Sequence, residues 1–183
     1  MKNTAPYLGF LLLIVAMACE EKDPTFVIAE DHIGKLSKNT LVSDLEGVFQ
    51  GDSLVHDTTS SRLGSQAQKI KVFENGGALL LTLTPTTDSL PIVDHVAVAD
   101  ARFQTEAGIG TTSTFKDIRT QYEIKKIVTT MNSVVVFPKE SALYFTIDKD
   151  QLPDNLRFTM ANIEAVQIPD DASIKYLMLG WDQ

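Results

Sequence analysis

The 183-residue chain carries 16 Lys plus Arg against 24 Asp plus Glu, a formal net charge of −8. That balance argues against nucleic acid or anionic lipid as a main partner, because both reward clustered Lys and Arg. A single cysteine, Cys19, excludes an intramolecular disulfide and any Cys-based zinc site.

The first element is an apolar run. Lys2 and the α-amino group give a positive start, and Leu8 to Ala18 follow almost without a polar side chain. This is the layout of a secretory signal peptide over residues 1–18. The run is short for a membrane span, which needs about 20 apolar residues, and Glu20, Glu21 and Asp23 follow it at once. Two readings fit the junction. Ala16-Met17-Ala18 is an Ala-x-Ala cleavage site, which leaves a free thiol next to the cut. Alternatively, Cys19 becomes the first mature residue and carries diacylglycerol on its sulfur. The position of the sole cysteine favours lipidation.

In this second reading the stretch Ala16-Met17-Ala18-Cys19 resembles the lipobox of bacterial lipoproteins, although Ala16 and Met17 depart from the commonest pattern. Cys19-Glu20-Glu21-Lys22-Asp23 resembles the acidic tether of envelope lipoproteins from the Bacteroidota. The resemblance implies a lipid-anchored protein of the cell envelope, at the outer membrane and on its periplasmic or surface face. Residues 19–25 then form a tether and 26–183 one globular domain, with internal halves 26–100 and 101–183. Each buried methylene contributes about 0.8 kcal/mol, so two or three acyl chains suffice as an anchor. The acidic body is expected to need no membrane-binding face for retention.

Past the tether, the pattern predicts α+β, mainly antiparallel sheet with two short capped helices. Thr40 to Phe49 reads as the first helix, capped by Thr40, with Val42, Leu45 and Phe49 on one face. Residues 57–68 are polar and read as an exposed loop. Lys69 to Phe73 alternates polar and apolar, Asn75-Gly76-Gly77 supplies a turn, and Ala78 to Leu83 returns, which predicts a hairpin. Ile92 to Phe103 reads as extended. Ser113 to Tyr122 reads as the second helix, capped by Ser113, with Phe115, Ile118 and Tyr122 on one face. Further strands are predicted at Ile124–Thr129, Ser133–Phe137, Leu143–Ile147 and Ser173–Leu179.

An offset of 73 lays the first helix on the second. It pairs Asp44 with Asp117, Leu36 with Ile109, and Leu54-Val55 with Ile127-Val128, which suggests a tandem β-α-β repeat. The element Thr105 to Ile118, with Gly108 and Gly110 before a Ser/Thr-capped helix, resembles one in envelope lipoproteins of the Bacteroidota. The element order is also similar to small modules of outer-membrane assembly lipoproteins and β-lactamase inhibitor proteins. An element order carries no function.

Chemistry-bearing candidates are few. Gly108-Ile109-Gly110 lacks a third glycine and a Gly-Lys-Ser/Thr ending, so it reads as a tight turn rather than a phosphate loop. Asp31-His32, His56-Asp57 and Asp94-His95 suit zinc in principle, but none has the local spacing of a ligand pair. No Gly-x-Ser-x-Gly elbow is present. Asp170-Asp171 are adjacent, unlike paired glycosidase carboxylates. Phe73, Phe103, Phe137 and Phe145 fall at core spacing, and Trp181 reads as packing. The expectation is a lipoprotein with no catalytic, cofactor or metal residues. Cys19 is the lipidation site, and an envelope protein, peptide or glycan is the partner class. An extracytoplasmic enzyme or metal-binding domain is one alternative, and an inhibitor or immunity-type module another.

Overall fold

Side chains that alternate in the sequence alternate across the main sheet. On β5 (Lys69–Phe73), Ile70 and Val72 are buried while Lys71 and Phe73 are half-buried on the other face. This computed structural model describes residues 23–57 and 68–181. The predicted hairpin forms: β5 pairs antiparallel with β6 (Leu79–Pro85), and Gly76 and Gly77 take the positive φ values that the turn demands. β4 (Ser53–Asp57) flanks β5, and β7 (Val93–Val98) flanks β6.

The second half holds another meander. β9 (Ile124–Thr129), β10 (Ser133–Pro138), β11 (Leu143–Asp148) and β12 (Tyr176–Gly180) pair in sequence order. β12 then pairs with β7, which joins both meanders into one eight-stranded sheet of order β4-β5-β6-β7-β12-β11-β10-β9. Each meander follows a helix, α1 (Leu45–Val48) in the first and α2 (Phe115–Gln121) in the second. A small sheet of order β3-β2-β1-β8 is built from β1 (Val27–Ile28), β2 (His32–Ile33), β3 (Leu36–Ser37) and β8 (Gln104–Thr105).

The core lies between the inner face of the main sheet and the helices with the small sheet. Phe145, Val136 and Leu177 from the sheet share one buried cluster with Phe115 and Ile118 of α2, Leu45 of α1, and Ile28, Ile33 and Leu36. Each such large side chain contributes about 1.5–3 kcal/mol by leaving water. Both predicted helical stripes are used, since Leu45, Phe49, Phe115 and Ile118 are buried and Val42 and Tyr122 pack against them.

The caps differ from expectation. α2 is capped by Thr114, not Ser113: the Thr114 hydroxyl accepts from Asp117 N–H and the Asp117 carboxylate accepts from Thr114 N–H, a capping box. Ser113 instead accepts from Gly110 N–H. The first helix has no side-chain cap. Thr40 donates its hydroxyl to Ser37 O, and its carbonyl accepts from Val93 N–H, so it is tied to β7 rather than to a helix end. The stretch read as extended from Ile92 to Phe103 is a strand only over Val93–Val98. The predicted loop at 57–68 falls largely outside the described residues, with Asp57 closing β4.

Candidate functional site

β5, β7, β9 and β11 all finish at one end of the main sheet, here the proximal end, where β4, β6, β10 and β12 begin. The described chain starts there. Arg102, just past β7, donates to Glu74 in the β5–β6 turn at 2.9 and 2.8 Å and to Asp100 at 2.9 and 2.8 Å. Its guanidinium carbon lies 4.2 Å from the centroid of the Phe26 ring, which also meets Phe103 edge-on at 5.1 Å. These bonds raise the Arg102 pKa above its ordinary value and lower those of Asp100 and Glu74. From Phe26 the chain passes through the two residues of β1 to Glu30. At the distal end, the Glu30 carboxylate accepts from Ser141 Oγ and Ala142 N–H, and its carbonyl accepts from Trp181 Nε1 at 3.0 Å.

The proximal end also carries an apolar cluster that sequence reasoning missed. Met131 in the β9–β10 turn, with Phe158 and Met160 beyond α3 (Asp154–Arg157), lines an open cleft of ≈ 550 Å³. These side chains are 76%, 93% and 65% exposed. Beneath them lies Lys149, only 2% exposed. Its Nζ donates to Met131 O at 3.3 Å and Thr159 O at 2.5 Å. A buried ammonium is costly unless its protons are accepted, so this lysine fastens both loops to the end of β11. Other cations nearby are tied. Lys175 pairs with Asp148 at 2.5 Å, and Arg157 bonds Asp154 and Leu152 O. The only sequence signal was Phe158-Thr159-Met160 in a stretch without strand or helix period.

A second surface is the outer face of the sheet. Lys126, Phe137, Tyr144 and His95 run in a row across β9, β10, β11 and β7. Phe137 stacks on Tyr144 at 5.6 Å and 18°, Lys126 Nζ lies 4.6 Å from the Phe137 centroid, and His95 meets Tyr144 edge-on at 6.2 Å. Gly180 permits this closeness, because a Cβ there would lie 3.3 Å from both the His95 and the Tyr144 ring. Phe137 and Phe73 are therefore half-buried outer-face residues, not the core residues their spacing suggested, whereas Phe103 and Phe145 are core.

The remaining candidates are dispersed. His32 Nδ1 meets Asp31 at 2.8 Å on the small sheet, and His95 Nδ1 meets Asp94 at 2.9 Å on β7. His56 lies on the edge strand β4, and its neighbour Asp57 pairs with Lys71 at 3.0 Å. β4 and β7 are three strand spacings apart, about 14 Å. Among the described residues, no group of three or more His, Cys, Asp or Glu is placed to hold a metal. Gly108 takes φ +79 in the turn joining β8 to Gly110, and Gly110 N–H is occupied by Ser113. Asp170 pairs with Arg119 of α2 at 2.8 Å rather than acting with Asp171. Trp181 is 7% exposed and packs in the core. Cys19 lies outside the described residues. No described helix is long and apolar enough to cross a membrane.

No protein-family model matches the chain, and no curated protein matches it. Its fold is similar to that of a solved structure, the uncharacterized protein yfeY from Escherichia coli. The TM-score is 0.56 at 11% identity, over 84% of this chain and 98% of that one. At that identity the likeness shows a shared fold and nothing further.

Proposed function

We propose that this chain is a lipid-anchored protein of the bacterial cell envelope with a non-catalytic binding role. The apolar run ending at Cys19 supports the anchor. The outer face of the sheet is the observation that carries the binding role. It places half-buried Phe137, Tyr144, Met178 and Val135 as neighbours on one face of adjacent strands. Phe137 and Tyr144 stack on each other, Lys126 Nζ also lies over the Phe137 ring and His95 meets Tyr144 edge-on, so these neighbours compete with a sugar for the aromatic faces there. This favours a protein or peptide partner over a glycan.

The two meanders support a further reading, that the domain is a duplicated unit of helix and four strands. The offset of 73 puts Leu54-Val55 on β4 and Ile127-Val128 on β9, the two edge strands. Superposing β4–β7 on β9–β12 in an experimental structure checks this. α1 should land on α2, and a mismatch overturns it.

Two measurements test the function. Metabolic labelling with a fatty-acid probe should mark the wild type and spare Cys19→Ala, and equal labelling would end the anchor reading. Pull-down from detergent-solubilised envelopes should recover a specific partner that Tyr144→Glu loses. Recovery unaffected by that change, or hydrolytic activity with no partner, would overturn the binding role.

A further inference from the structure

We propose that the proximal end of the sheet docks on the bilayer, with Met131, Phe158 and Met160 entering the acyl boundary. This rests on the anchor reading above and adds an orientation to it. The first observation is where the chain leaves the domain. Phe26 is held at the proximal end by the Arg102 guanidinium over its ring, and Asp23, three residues earlier, accepts from Thr25 N–H. Cys19 lies four residues before Asp23, and four residues span at most about 14 Å. An acylated Cys19 therefore holds the membrane against this end of the sheet. It cannot present the distal end, some six residues of strand away.

The second observation is what that end displays. From β7, where Arg102 sits, to β11 and β10, where the apolar cluster sits, the sheet order gives two to three strand spacings, about 10–15 Å. The cluster and the tether thus face the same plane. Phe158, Met160 and Met131 are the large apolar side chains that this plane leaves exposed near the cleft. Isolated exposed apolar groups are ordinary, whereas three on adjacent loops form a patch. The Lys149 bonds to Met131 O and Thr159 O hold the two loops together, so the three side chains form one patch along the same cleft.

Lipid is favoured over a second chain by this coincidence with the tether. Acyl chains take phenyl and thioether groups without needing a shaped pocket. Charge plays little part, because Lys175, Arg157 and Arg102 already face Asp148, Asp154, Asp100 and Glu74. The contact is consequently insensitive to salt and indifferent to anionic headgroups. Retention comes from the acyl chains. The patch fixes which way the domain stands, with the outer sheet face perpendicular to the membrane and open to partners at the side.

The test uses full-length protein processed in bacteria and reconstituted in phosphatidylethanolamine vesicles whose acyl chains carry bromine. An environment-sensitive thiol dye is attached at Phe158→Cys, with Leu90→Cys, an exposed residue in the distal β6–β7 loop, as control. Fatty-acid labelling of Cys19 is scored on the same samples. Several-fold stronger quenching at 158 than at 90, unchanged by high salt, is expected. Equal quenching at both positions in labelled protein would overturn the docking while leaving the anchor intact. A dye response at 158 that follows protein concentration instead of lipid would assign the patch to self-association and equally overturn it. Absence of the fatty-acid label would remove the anchor reading, and the docking with it.

Discussion

Lys149 shows how far a single residue can depart from its sequence appearance. Within Asp148-Lys149-Asp150 it reads as a solvated surface charge, yet it is buried and donates to two loop carbonyls. Nothing local announces this, because both acceptors are supplied by loops that meet only in the folded chain. Lys149→Met keeps the volume but leaves Met131 O and Thr159 O without their donor. Denaturant titration should show a loss of about 1–3 kcal/mol. Gly34 is a case in which the backbone decides. It has φ +53, and a Cβ would lie 2.3 Å from Thr25 O. Gly34→Ala has to displace the β2–β3 turn or the Thr25 segment before β1, and its thermal midpoint should fall by more than that of Gly47→Ala, where a Cβ meets nothing within 4 Å.

At the scale of elements, short β-branched and aromatic runs between turns made β9, β10 and β11 legible, and period-two alternation made β5 legible, because one of its faces is buried and the other half-exposed. The helical stripes were legible for the same reason. The caps were less so. Ser113, Thr114 and Thr40 all have a suitable hydroxyl, and tertiary hydrogen bonds select among them. Ser113 is claimed by Gly110 N–H, and Thr40 by Ser37 O, which leaves Thr114 for α2. Thr114→Ala should lower stability by about 0.5–2 kcal/mol, and Ser113→Ala by less, both measured by chemical denaturation. The two-residue strands of the small sheet were invisible, since two residues carry no period. The apolar cluster at Met131, Phe158 and Met160 was hidden similarly, because its members come from a turn and an irregular segment.

For the whole molecule, charge sets the acid limit. Hydrogen bonds from Arg102 hold Asp100 and Glu74 below the usual carboxylate range, those from Lys175 and Arg119 do the same for Asp148 and Asp170, and the Thr114 N–H does so for Asp117. A carboxyl depressed in the folded state binds its proton more weakly than in the unfolded chain. Its contribution is therefore present above the unfolded pKa and is lost as pH falls through the folded one. The melting temperature should be flat above about pH 5 and decline below about pH 4. A decline that began near pH 6 would contradict this.

The seam between β7 and β12 has a consequence in time. Residues 176–180 form an interior strand of the sheet, flanked by β7 and β11, although β8, α2, β9, β10 and β11 separate them from β7 along the chain. Until they arrive, the two meanders have no shared partner and Leu177 and Leu179 are missing from the core. Pairings between distant segments close late. A chain ending at residue 175 should lack near-ultraviolet circular dichroism, whereas native signal from it would refute the dependence. The main sheet thus closes only once this segment has docked between the two halves. On the envelope reading proposed above, that delay is useful, because a chain destined for a secretory pore has to stay unfolded until it has crossed.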